Sequence, residues 1–128
     1  MEYKDFYKLL ALINAQVRCQ HTAVAPNQKD LEYISKYGKM FPYEIMWDFD
    51  PVRAYAFSNV TNEGGVKPAT EILKINGQPV QAIYDTLMKY LFADGYNLTS
   101  KQVRLIPFDF QHWYYFFIDR QDTFEMDF

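Results

Sequence analysis

The stretch Val66–Phe92, VKPATEILKINGQPVQAIYDTLMKYLF, decides how the rest of the chain is read. Ile72, Leu73 and Ile75 form a short apolar run that ends at Asn76-Gly77. Both residues of that dipeptide tolerate positive φ, which predicts a tight turn directly after a strand. Pro79-Val80 then opens a segment in which Ile83, Leu87 and Leu91 recur at i, i+4 and i+8, the spacing of one helical face. Asp94-Gly95 is the expected helix stop, because glycine takes the left-handed cap conformation without a side-chain clash. The simplest expectation for Ile83, Leu87 and Leu91 is burial in the core.

Upstream, residues 3–18 carry an amphipathic helical pattern, with Phe6, Leu9, Leu10, Ile13 and Val17 on one stripe. A stripe this apolar is expected to pack on something, in this chain or in a partner. After the segment Arg18–Pro26, Asn27 is a good N-cap for a second helix, and Asp30 suits its positive N-terminal end. Leu31, Ile34 and Tyr37 line one face of that helix, and Gly38 terminates it. The period then changes. Phe41–Trp47 and Val52–Phe57 flank Asp48-Phe49-Asp50-Pro51 and predict a β-hairpin. Asn59 to Gly65 is a polar loop.

Downstream, Thr99 with Gln102 three residues on has the form of a capping box for a short helix, whose length Pro107 limits. Phe110, Trp113, Tyr114 and Phe117 keep helical spacing, with Asp109 as the candidate cap and a strand as the competing assignment. Thr123–Phe128 alternates apolar and acidic residues, as a half-buried strand does, and its stop is expected to be a cut from a longer protein or a strand that pairs across the sheet. The fold class is therefore α+β.

With 128 residues, one domain with a core of its own is the default. The 19% aromatic share, with 11 Tyr and 11 Phe, implies an aromatic core or an aromatic face that meets another surface. A net charge of −3 without a basic run disfavours nucleic acid as a partner. Cys19 is the only cysteine, which excludes an internal disulfide. No segment has the length and apolarity of a membrane-spanning helix.

The run VKPATEILKINGQPV resembles the PDZ-domain segment G-(D/T)-x-I-L-x-I-N-G-x-P-V, in the form found in carboxyl-terminal processing (tail-specific) serine peptidases. Ala69 stands where those modules often carry glycine. Cys19-Gln20-His21-Thr22 resembles the Cys-Gly-His-Thr signature that precedes their PDZ-like part, with Gln20 in place of the small residue. Asp94-Gly95-Tyr96-Asn97 resembles their S-D-G-x-N turn. The resemblance implies a helical N-terminal segment over residues 1–38 and a PDZ-like region over 39–128, a small β-sheet or barrel with packed helices, together forming one unit or two. It further implies that this bacterial-type region precedes a catalytic domain, outside the cytoplasm, and that it recognises a peptide or protein C-terminus.

In that family a serine activated by a lysine carries the chemistry. Here Ser35, Ser58 and Ser100 sit in no nucleophile turn, and Lys101 next to Ser100 projects about 100° away on a helix. The chain is therefore expected to be non-catalytic, without a cofactor. By analogy with PDZ modules, Tyr37, Gly38, Lys39, Met40 and Phe41 would stand in for the carboxylate-capturing loop. Tyr84 and Met88 would face the peptide from the helix after Asn76-Gly77. His21 and Thr22 would shape the path to the catalytic domain or contact substrate, although the simpler expectation is that the His21 ring and the Thr22 hydroxyl satisfy backbone groups where the first helix ends. Cys19 and His21 are two ligand types close together, but with His112 remote and no second pair, no metal site is expected. Asp119, Asp122, Glu125 and Asp127 lack calcium-loop spacing and are expected on a solvated face. Asn59-Val60-Thr61 and Asn97-Leu98-Thr99 match a glycosylation sequon in form. An alternative function is a stand-alone interaction domain that binds through an aromatic surface.

Overall fold

The structure is a computed structural model that describes residues 1–60, 64–105 and 109–128. Three expectations, the polar loop Asn59–Gly65, the Asn59-Val60-Thr61 sequon and the limit set by Pro107, fall at least partly outside them. The chain folds as α1 (Tyr3–Val17), α2 (Gln28–Tyr37), β1 (Tyr43–Phe49), β2 (Val52–Asn59), β3 (Thr70–Ile72), β4 (Lys74–Ile75), β5 (Gln78–Pro79), α3 (Val80–Tyr90), α4 (Leu98–Val103), α5 (Phe110–Trp113) and β6 (Met126–Asp127). A turn of π-helix, Tyr114–Ile118, continues α5. The class is α+β, with two separate three-stranded antiparallel sheets, β1-β2-β3 and β5-β4-β6, rather than a closed barrel.

The Asn-Gly turn forms as its residues dictate. Asn76 and Gly77 take φ of 48° and 76°, and the turn pairs Ile75 with Gln78. The run before it is not one strand, however. Leu73 separates β3, which pairs with β2, from β4, which pairs with β5 and β6. Ile72 and Ile75 are buried, and Leu73 is half exposed. The break lets consecutive apolar residues serve two sheets. β6 supplies the third strand of the second sheet, with Met126 opposite Ile75.

Central to the core is α3, with Ile83, Leu87 and Leu91 all essentially inaccessible. It packs against β2, α1 and the π-helical turn. The helix ends at Leu91, whose N–H donates to the Leu87 carbonyl. Asp94-Gly95 is therefore not its stop but a separate turn beyond it, with Gly95 at φ 56°. The aromatic residues account for much of the core. Phe41 meets Phe110 edge-on at 5.4 Å and Phe124 at 5.4 Å, and Tyr90 stacks on Phe117 at 4.5 Å.

The apolar stripe of the first helix is not the face that packs on this chain. The buried residues of the helix are Tyr7, Ala11, Asn14 and Ala15, whereas Phe6, Leu9, Ile13 and Val17 are 48%, 45%, 54% and 55% exposed. The reason is fit. Ala11 and Ala15 let the helix approach closely, and the Tyr7 ring lies 5.0 Å from Phe116 and 5.8 Å from Phe117. Lys4 and Lys8 border this face with their ammonium groups over the Tyr115 and Tyr90 rings. Tyr7, Ala11 and the α2 residue Ile34 belong to the same apolar core as the sheet and α3.

Caps behave locally. Asn27 accepts the Asp30 N–H at 3.0 Å, as its position before α2 demands. Of the three residues expected to line that helix, only Ile34 is buried. The cap of α4 is Asn97, which accepts the Ser100 N–H at 3.0 Å, and not Thr99. Asp109 precedes α5 without a side-chain cap bond.

Candidate functional site

The PDZ resemblance would place a peptide along an edge strand near α3, and α3 meets β1 here through aromatic side chains. β1 is an edge strand: β2 pairs with one side, and no strand pairs with the other among the described residues. From its inner face Trp47 and Phe49 lie parallel, 6.5 Å apart, and both meet the Tyr84 ring of α3, at 6.1 and 5.9 Å. The space between strand and helix is thus filled by three rings. The Trp47 indole N–H has no hydrogen-bond partner among the described residues.

The expected loop residues divide. Gly38 gives its N–H to the Ile34 carbonyl at 2.7 Å, closing α2, so that donor is committed. A Cβ at Gly38 would come within 2.6 Å of the same carbonyl oxygen, which explains the glycine. Phe41 is core, Met40 packs against the core, and Tyr37 and Lys39 are exposed. Tyr84 and Met88 also part company. Tyr84 is buried beside β1 and accepts the Gln102 amide N–H at 2.9 Å. Met88 instead borders a cleft shared with Leu12, Ala15 and Tyr96.

A second cleft, about 330 Å3, opens between the segment after α1 and α5. Tyr7, Val24, Phe92, Trp113 and Phe116 line it, with His112 and Asp109 also present. Arg104 reaches it but is committed, donating from Nε to the Phe92 carbonyl at 3.1 Å with its guanidinium 4.0 Å above the Phe92 ring.

No serine–lysine arrangement assembles among the described residues. The Lys101 amine donates to the Met88 carbonyl at 2.9 Å, and burial, with a smaller repulsion from Arg18, lowers its pKa. Its proton is directed at a backbone oxygen and not at Ser100. Asn97 of the second sequon has its side-chain oxygen engaged as the α4 cap.

The His21-Thr22 turn closes through the Thr22 N–H to the Cys19 carbonyl at 3.2 Å. His21 is exposed, and its ring makes no hydrogen bond among the described residues, contrary to the expectation that it satisfies backbone at the helix end. The turn is tied instead to the stretch after α3. Gly95 N–H donates to the Arg18 carbonyl at 3.0 Å, and Gln20 N–H donates to Asp94 Oδ1 at 2.6 Å. The Arg18 guanidinium lies 3.8 Å over the Tyr96 ring and donates to its hydroxyl. The two segments that resemble peptidase signatures are therefore one local structure. Contacts with the Thr22 side chain, then with the His21 and Thr22 backbone, hold the Cys19 thiol below its ordinary pKa.

Compared with protein-family models, curated proteins and solved structures, the chain matches none. No described helix is long and apolar enough to cross a membrane.

Proposed function

We propose that the chain is a non-catalytic recognition module that takes up an extended polypeptide, the part played by the PDZ-like region ahead of the catalytic domain in tail-specific serine peptidases. The observation that carries this reading is the one-sided pairing of β1. An edge strand presents free N–H and C=O groups at the strand spacing, and an added peptide strand satisfies them. Tyr37 and Lys39 lie exposed just before that strand and would meet one end of the ligand. The positive-φ Asn76-Gly77 turn and the joined His21 and Asp94 segments support the kinship. In a longer parent, a downstream domain with a serine–lysine pair would carry the chemistry, outside the cytoplasm.

The test is an NMR titration of isotopically labelled chain with short peptides ending in a free carboxylate, against the same peptides amidated. The expected result is movement of the Tyr43–Phe49 amide resonances, weakened by amidation. Saturating peptide that leaves those resonances unmoved refutes the reading.

A second reading, a stand-alone interaction domain, has its own observation in the outward apolar face of α1. It predicts concentration-dependent association in light scattering that Leu9→Glu with Ile13→Glu abolishes. A strict monomer at high concentration that captures no partner counts against it.

A further inference from the structure

Cys19, His21 and Asp94 meet at the junction of the α1-following turn and the α3-following turn. One ligand atom from each, thiol Sγ, an imidazole nitrogen and a carboxylate oxygen, lies within 4.8 Å of both others. We propose that these three side chains form a binding site for a borderline-soft divalent cation of the Zn2+ class, with the fourth coordination position open. This does not rest on the peptide-recognition reading.

Donor chemistry selects the ion. Thiolate and imidazole favour zinc and its neighbours over magnesium or calcium, and one carboxylate is compatible with that set. In a tetrahedral site with bonds of about 2.0–2.3 Å, donor atoms stand roughly 3.3–3.8 Å apart. Contraction by about 1 Å is within reach of side-chain rotation, since His21 and Asp94 are exposed. Three protein ligands with an open position is the arrangement of exchangeable or reactive sites rather than closed structural ones.

The backbone already holds the two segments together. The Gln20 N–H on Asp94 Oδ1, 74 positions away, the Gly95 N–H on the Arg18 carbonyl and the Arg18–Tyr96 stack bring distant residues into register. The Gln20 bond also orients the carboxylate, as hydrogen bonds to metal ligands do. Arg18, the nearest competing cation on the turn, has its guanidinium on the Tyr96 ring. The same residue types could in principle form a nucleophile relay, but a relay places the imidazole between thiol and carboxylate on opposite ring nitrogens. Here thiol and carboxylate also lie within 4.8 Å of each other, so all three ligand atoms converge. Convergence is what a metal ion requires. A bound ion would clasp the turn after α1 to the loop after α3 and leave one position for water or an incoming donor.

The test titrates the chelator-treated chain with Co2+ and then with Zn2+. Expected are a thiolate-to-cobalt charge-transfer absorption, its loss at one Zn2+ per chain, and a rise in Tm with Zn2+. Asp94→Asn keeps an oxygen for the Gln20 N–H while removing the anionic ligand, so the turn survives. Both Asp94→Asn and His21→Gln should weaken Co2+ binding roughly tenfold or more, and His112→Gln should bind as the parent does. No thiolate-to-cobalt absorption overturns the proposal. So does unchanged affinity in both ligand variants, which would mark binding to an isolated thiol. Metal-free Tm values near the parent's show that any loss of binding is not loss of fold.

Discussion

Replacing Ala69 by glycine should stabilise the protein. Ala69 has φ 64°, in the left-handed region that a residue with a Cβ adopts at a cost of about 1–2 kcal/mol. The conformation is imposed from both sides. Ala69 N–H donates to the Ala56 carbonyl at 2.7 Å, while the Thr70 hydroxyl and N–H both donate to the Lys67 carbonyl, at 2.7 and 3.2 Å. The Ala69 methyl is exposed, so its removal sacrifices little burial. Against the relief stands the extra freedom glycine brings to the unfolded chain, about 0.4–1 kcal/mol. The difference is a gain of roughly 0–1.6 kcal/mol, centred near 0.8 kcal/mol, or about 2–5 °C in Tm for a chain of this size. Urea unfolding followed by the fluorescence of Trp47 and Trp113 should show a higher midpoint at unchanged slope. Gly77→Ala is the mirror experiment. At φ 76° with nothing within 4 Å of an added Cβ, it introduces strain alone and should cost about 1 kcal/mol. A lower midpoint for Ala69→Gly would refute the reasoning, because the backbone strain assigned to this turn would then be absent.

Truncation of the fully buried Leu87 to alanine should destabilise by about 2–5 kcal/mol in the same assay. The two faces of α1 should separate cleanly: Tyr7→Ala costs about 3–5 kcal/mol, whereas Phe6→Ser stays within about 0.5 kcal/mol. Similar costs for the two would show the helix to be rotated from the orientation described. Stability should also fall at alkaline pH. Burial first, and repulsion from Tyr3 second, push the Tyr7 hydroxyl from 10.0 to about 12. Above pH 10 the unfolded chain loses this proton while the folded chain keeps it, so stability present below pH 10 declines from 10 towards 12. Tyr7→Phe should flatten that decline in urea midpoints measured against pH; an equally steep decline would remove Tyr7 as a cause.

The peptide-recognition proposal rests on β1, and the sequence pointed to the hairpin but not to the crowding beside it. Nothing in the spacing of Trp47, Phe49 and Tyr84 announces that their rings converge, since the residues lie on separate elements. Tyr37 to Phe41 are likewise neighbours in the chain alone. Packing divides them, because the large Phe41 ring is worth more in an aromatic core than at a surface. The Cys19–His21 pair was visible as two ligands. Its third member, Asp94, was visible only as part of a turn, and no local signal connects the two places.

What the sequence determined by itself was everything settled within a few residues: the positive φ of Asn76-Gly77, the Asn27 cap, the i, i+4, i+8 face of Ile83, Leu87 and Leu91, and the α+β class. These follow from steric limits and short-range hydrogen bonds that travel with the residues. Only the tertiary structure decided which face of α1 is buried. Apolarity favours Phe6, Leu9, Ile13 and Val17, but close approach favours Ala11 and Ala15, and fit to Phe116 and Phe117 favours Tyr7. The division of Ile72 and Ile75 between two sheets and the meeting of Asp94 with Cys19 and His21 are decisions of the same kind. Each depends on shape complementarity between distant parts of the chain, which residue spacing does not encode.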